Sequence, residues 1–274
     1  FDRAGELALF YLERGVEGVF LCGTTGEGLL MSPEERKQLV ESVVQAVGQR
    51  GVVLVQTGCL DTKTSVELTA HAAASGAKAA AAYTPGFYTY DDRSILEHFR
   101  AIAKAVRPHP VMLYNIPRCT GNALSPELIC RIAESEENIA GIKDSSGDMV
   151  HFSRLAAIMP KHFVLINGAD EFTYQAYLTG AVGSVSITAN VVPELFIAIR
   201  DNVLAGKLDR ALEAQRKLAR VMKHLGYGKV LSFYHEALRL RGFDPGYVRP
   251  PQREMRKPEK TALAKAFEAE GLTR

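Results

Sequence analysis

A chain of 274 residues, 47% hydrophobic and 23% charged, carries enough apolar material for one large core or two ordinary ones, which excludes a disordered segment. Its 33 basic and 31 acidic side chains leave a net charge of +2 with no long block of one sign, so no nucleic-acid partner is expected. Four scattered cysteines without a Cys-x-x-Cys pair form neither a metal knot nor a disulfide framework, and no apolar stretch reads as a membrane span; a reducing cytoplasm suits them.

In chain order, residues 1–15 read as a helix feeding a strand over Gly18–Gly23. Further strands are predicted at Val52–Gly58, Ala77–Pro85, Val111–Pro117, Ile139–Ser145, Val164–Gly168 and Gly183–Ala189. Their starts are 19 to 34 residues apart, close to the repeat of a βα unit. The runs are nearly all apolar, as parallel strands covered on both faces should be. Between them lie helix starts: Ser32-Pro33-Glu34-Glu35 has the form of a capping box, and Ser125-Pro126-Glu127 repeats part of it. Gly15, Gly76 and Gly180 stand where helices should end in a left-handed cap.

Seven strands fit an open doubly wound sheet or a (β/α)8 TIM barrel that lacks one strand. Phe1 is not expected to be a native start, and the first helix runs straight into a strand. The expectation is therefore a barrel over 1–205 whose first strand lies upstream of the supplied chain. Beyond Asn190 the strands stop, and helices are predicted at Pro193–Leu204, Lys207–Leu225, Lys229–Arg241 and Pro258–Glu270. The last three make a helical extension over 206–274, with Gly242–Lys257 read as a solvated connection.

A barrel carries its chemistry at the C-terminal ends of its strands. Lys143 is the outstanding group there. Strand alternation puts Ile139, Gly141, Lys143 and Ser145 on one face, with Ala140, Ile142 and Asp144 toward the helices, so Lys143 points into the barrel. A lysine in a dry interior loses solvation and is driven toward the neutral amine, the nucleophile that forms an imine with a carbonyl. A lysine snorkelling at a strand end would look the same by position. Tyr114, in Tyr114-Asn115-Ile116-Pro117, could relay protons or be a core tyrosine. Gly23-Thr24-Thr25-Gly26 could cradle a small anion such as a carboxylate, or be an ordinary strand–helix turn. The seven histidines form no metal motif and no strand-end cluster, so no metal is expected, and there is no G-x-S-x-G elbow.

Together these motifs resemble the dihydrodipicolinate synthase / N-acetylneuraminate lyase family of Schiff-base aldolases. The matching landmarks are Gly23-Thr24-Thr25-Gly26-Glu27, Thr84-Pro85, Tyr114-Asn115-Ile116-Pro117, Thr120-Gly121, Gly141-Ile142-Lys143-Asp144, Asn167-Gly168 and Thr188-Ala189-Asn190. The resemblance implies the barrel with its helical extension, a homotetramer, and no cofactor beyond a covalent imine on Lys143. It implies Lys143 as the imine-forming lysine, Tyr114 as its proton shuttle, and Thr24 and Thr25 as holders of the pyruvate carboxylate and the tyrosine hydroxyl. Gly23, Ser145, Gly168 and Ile187 join these as substrate-lining candidates.

Departures narrow the substrate. Where dihydrodipicolinate synthases place an arginine after proline-serine, Pro117-Arg118-Cys119-Thr120 has Cys119, and the relay tyrosine expected after Thr84-Pro85 falls on Phe87, with Tyr88 beside it. Asn167-Gly168-Ala169-Asp170-Glu171 is similar to the N-G-x-D-E of neuraminate lyases, whose acidic pair binds sugar hydroxyls, and Lys143–Asp148 is similar to the K-D-x-x-x-D run of keto-deoxy sugar-acid aldolases. Asp170 and Glu171 could equally be charges at a helix start. The expected activity is cleavage of a 2-keto-3-deoxy sugar acid to pyruvate and an aldehyde. The alternatives are dihydrodipicolinate synthase, a hydro-lyase or deaminase of the family, and a non-catalytic barrel that binds pyruvate or a sugar acid.

Overall fold

The computed structural model describes residues 1–273. Seven parallel strands follow one another in a single sheet: β1 (Gly18–Leu21), β2 (Val52–Gln56), β3 (Ala79–Tyr83), β4 (Val111–Asn115), β5 (Ile139–Asp144), β6 (Val164–Asn167) and β7 (Gly183–Ser184). A doubly wound sheet reverses its strand order at a switch point. An order that runs from first to last without reversal is that of a TIM-like barrel, and it displaces the open-sheet alternative.

Helices alternate with the strands: α1 (Asp2–Leu12), α2 (Pro33–Val47), α3 (Thr62–Ala74), α4 (Asp92–Ala105), a single turn α5 (Pro117–Thr120), α6 (Pro126–Ser135), α7 (Met149–Ile158), α8 (Thr173–Leu178) and α9 (Pro193–Leu204). The cap chemistry of α2 is as expected, with Ser32 Oγ accepting from the Glu35 N–H at 3.2 Å and Glu35 Oε2 accepting from the Ser32 N–H at 2.9 Å. Strand alternation then sorts the core. Val53 and Val55 pack outward on Val40, Val43 and Val47 of α2. Inside the barrel, Leu54, Ala81, Met112 and Ile166 meet Phe20, Val164 and Val185.

The alternation fails at one expected place. Val111 pairs with Ile139 but Met112 pairs with Gly141, so Ala140 is a bulge and the parity of β5 changes there. Ile139, expected inside, packs with Val111 and Ile142 against the helices. β7 is also shorter than expected. Past Val185 the Ser186 and Asn190 side chains bond to nearby backbone at 2.9 to 3.2 Å and wind residues 188–190 into a 3-10 turn instead of a ladder.

Three helices follow α9: α10 (Leu208–His224), α11 (Ser232–Leu240) and α12 (Lys257–Ala269). Their Leu218, Val221, Tyr234, Leu238, Leu263 and Phe267 join Val191, Val192, Phe196 and Ile199 in one apolar cluster that runs across residue 205. The connection over 242–257 is not merely solvated, as the sequence had suggested. Val248 and Met255 are buried, the Arg249 N–H and the Gln252 side chain donate to Glu27 Oε1 at 2.7 and 2.8 Å, and Arg249 pairs with Glu35 at 2.9 Å. Pro and Gly content marked the missing helix here and carried no information about packing. No helix among the described residues is long and apolar enough to cross a membrane.

Candidate active site

Register places the two principal side chains side by side: Tyr114 of β4 is paired with Lys143 of β5. Both are buried, at 3% and 5% exposure, and the Lys143 amine lies over the Tyr114 ring, 3.7 Å from its centroid. Phe20 of β1 meets the Tyr114 ring edge-on, with centroids 5.7 Å apart, and its own centroid is 5.3 Å from the amine. The amine donates to Ser145 Oγ at 3.1 Å, a neutral partner rather than a carboxylate. Burial drives the Lys143 pKa below its ordinary value, against the opposing influence of Tyr114, Asp170 and Asp144. This is the electrostatic setting of a nucleophilic amine.

Glycines make this packing possible. A Cβ on Gly168 would stand 1.9 Å from Ser145 Oγ, so only a bare backbone lets that hydroxyl sit beneath the amine. A Cβ on Gly141 would stand 2.4 Å from the Val164 carbonyl oxygen, so close approach of β6 demands that glycine. A Cβ on Gly23 would lie 3.0 Å from two carbons of the Phe20 ring. The turn after β1 is thereby seated on the aromatic that touches Tyr114.

Other candidates lie further from the amine. Thr24 is exposed and Thr25 half-buried after β1, and neither side chain is hydrogen-bonded to Lys143 or Tyr114 among the described residues. The turn is closed by the Glu27 and Gly28 N–H groups donating to Thr24 and Gly23 carbonyls at 3.2 Å. Asp170 is buried, accepts from the Thr188 N–H at 3.2 Å, and is pushed up in pKa by burial despite hydrogen bonds from Ser186 and Thr188. Glu171 is exposed, and Ile187 packs against the C-terminal helical cluster. Phe87 and Tyr88 stack edge-on at 5.0 Å; the former is 87% exposed and holds a left-handed φ of +72°. Cys119 and Arg118 are exposed on the α5 turn.

Sequence reasoning missed a polar network on the outer side of the same strand ends. Asp144 Oδ2 accepts from Asn115 Nδ2 at 2.7 Å and faces His151 Nε2 of α7 at 3.2 Å, while Oδ1 accepts from Ser146 Oγ at 2.6 Å. Burial opposes the Asp144 charge, but hydrogen bonds from His151, Ser146 and Asn115 outweigh it and hold the carboxyl below its usual range. Asn115 and Asp144 follow Tyr114 and Lys143 directly and are themselves register partners, so their bond ties together the strand ends that carry Tyr114 and Lys143. The sequence had given no sign that a histidine reaches a strand end. His151 lies in a helix with no metal spacing, and only the fold brings it to Asp144.

Comparison with known proteins gives the family. The model of the dihydrodipicolinate synthetase family matches residues 1–270. A 4-hydroxy-tetrahydrodipicolinate synthase of Thermoanaerobacter sp. (strain X514) is 31% identical over 255 residues, covering 93% of this chain and 86% of that protein. Among solved structures, YagE from E. coli K12, a prophage protein of the dihydrodipicolinic acid synthase family in complex with pyruvate, superposes with a TM-score of 0.92 at 27% identity, covering 98% of this chain and 91% of its own. A catalytic lysine mutant of Ruminococcus gnavus sialic acid aldolase gives a TM-score of 0.93 at 25% identity, covering 98% and 89% of the two chains. With a family match over nearly its whole length, the chain belongs to the dihydrodipicolinate synthetase family and is a carbon–carbon lyase of that family.

Proposed function

We propose that the protein is a Schiff-base lyase that cleaves a 2-keto-3-deoxy sugar acid to pyruvate and an aldehyde. The observation that carries this reading is the buried Lys143 amine, held against the Tyr114 ring with a serine hydroxyl as its hydrogen-bond partner and depressed in basicity by its burial. The neutral amine adds to the C2 ketone, and the carbinolamine hydroxyl leaves as water with the proton of the Tyr114 phenol, leaving an iminium on Lys143 and a phenolate on Tyr114. The C3–C4 bond then breaks, its electron pair moving through C3 to the iminium nitrogen. The proton of the C4 hydroxyl passes to the Tyr114 phenolate, restoring the phenol that can protonate the enamine, and an aldehyde leaves. Protonation of the enamine at C3 and addition of water to C2 return pyruvate and the free amine. Thr24 and Thr25 hold the carboxylate in this scheme, and the family resemblance extends it to a homotetramer.

The sugar-acid preference rests on Cys119, which stands where a synthase needs an arginine for its second anionic substrate. Pyruvate release from a panel of keto-deoxy sugar acids, set beside condensation of pyruvate with aspartate semialdehyde, tests it. Faster turnover of a sugar acid is expected. Faster condensation would return the assignment to dihydrodipicolinate synthase.

A further inference from the structure

The imine scheme uses side chains of β4 and β5, yet β2 and β3 also end in polar residues that point into the barrel. Gln56 is the last residue of β2 and Tyr83 the last of β3. Outward Val53 and Val55 and inward Leu54 fix Gln56 on the inner face, and Tyr83 packs with Tyr114, Ile116 and Phe20. Tyr83 is the register partner of Tyr114, which is in turn the partner of Lys143, so one row of pairs runs from this tyrosine to the amine.

Both residues are buried, at 2% for Gln56 and 5% for Tyr83, and neither Gln56 Oε1 nor the Tyr83 hydroxyl has a hydrogen-bond partner. The other partnerless buried side-chain atoms among the described residues belong to helices and connections; on the strands only these two occur. A buried amide oxygen or phenol with nothing to bond to loses its hydration without return, so such groups at adjacent strand ends call for a polar partner. A Cβ on Gly58 would lie 2.8 Å from the Tyr83 backbone nitrogen and 3.2 Å from both Gln56 Oε1 and Tyr83 Cδ1, so the glycine brings the chain after β2 close to the end of β3 and leaves Gln56 Oε1 uncrowded. Burial raises the Tyr83 pKa, which keeps the phenol a neutral donor. An amide and a phenol match a group that both donates and accepts without charge. Meanwhile Asp170 is committed to the Thr188 backbone and Glu171 is exposed, which leaves hydroxyls of a sugar-acid chain in need of other partners.

We propose that Gln56 and Tyr83 form a hydroxyl-binding subsite at the β2–β3 side of the barrel mouth, taking the hydroxylated part of the substrate beyond its 2-oxo acid end. The inference rests on the imine reading above, so its test separates the two. Wild type, Tyr83→Phe and Gln56→Leu are trapped with pyruvate and borohydride, which reads the Lys143 imine alone. The same proteins then condense pyruvate with glyceraldehyde or with propionaldehyde, which differ in their hydroxyls. Trapping and melting temperature should hold in both variants, because each removes only an unpaired polar group. The kcat/KM for glyceraldehyde should fall roughly threefold to tenfold with propionaldehyde unchanged. Unchanged preference in both variants with trapping intact would overturn the subsite and leave the imine reading standing. Calorimetric titration with gluconate, which has hydroxyls but no ketone, reads the subsite without any imine. Weaker binding in the variants supports it, and equal or absent binding in all three proteins contradicts it.

Discussion

An ammonium group in the position of Lys143 would have an aromatic face and a hydroxyl for company and little water, so the folded protein favours the uncharged amine. That preference has a stability consequence whose sign is determined. The unfolded lysine titrates near pH ~10.4 and the folded one lower, so in the window between the two the unfolded chain binds more protons and stability rises with pH. Below that window the cost is fully present. Lys143→Met is therefore expected to be more stable than wild type to urea at pH 7, with the gap closing as the pH approaches ~10. A gap that stayed constant with pH would mean that the amine is hydrated in the folded protein. Lys143 and Tyr114 were legible from alternation and strand-end position because both are penultimate in their strands. Asp144, Asn115 and His151 were not, since their partnership crosses β4, β5 and α7 and leaves no local pattern.

Among the elements, β5 bears the heaviest constraint, since it carries the amine, the bulge at Ala140 and the close contact with β6. The interfering atom for a side chain at Gly141 is the Val164 backbone carbonyl, which cannot swing away as a flexible side chain could. Gly141→Ala is expected to cost about 3 kcal/mol of stability through forced displacement of β6, and to lower kcat through the shifted amine. Denaturant unfolding and steady-state rates check both. Wild-type values for the variant would place the β5–β6 contact elsewhere. Helix starts were readable to the residue at Ser32 and Ser125, where capping is local chemistry. The ends of β5 and β7 were less so. The bulge answers to the pairing with β4, and the early stop of β7 to side chains that bond back to their own turn.

At the scale of the molecule, the unbroken strand order accounts for the barrel mouth, and the C-terminal helices share an apolar core with α9 instead of forming their own. Phe267 of α12 is wholly buried in that shared core. Phe267→Ala is expected to destabilise by about 3–5 kcal/mol and to lower the midpoint of one common transition followed by both far-ultraviolet and tyrosine signals. Two separated transitions would show that 206–274 folds apart from the barrel. The periodicity of the strands made the layered α/β plan legible, but the ties from Glu27 and Glu35 to the connection before α12 were invisible, because they join residues more than two hundred positions apart. The most direct test of the account is mass analysis of peptides after borohydride reduction with saturating pyruvate. A single reduced adduct is expected on the peptide that contains Lys143, lost in Lys143→Ala. An unmodified Lys143 peptide, or an adduct on a different lysine, would contradict it.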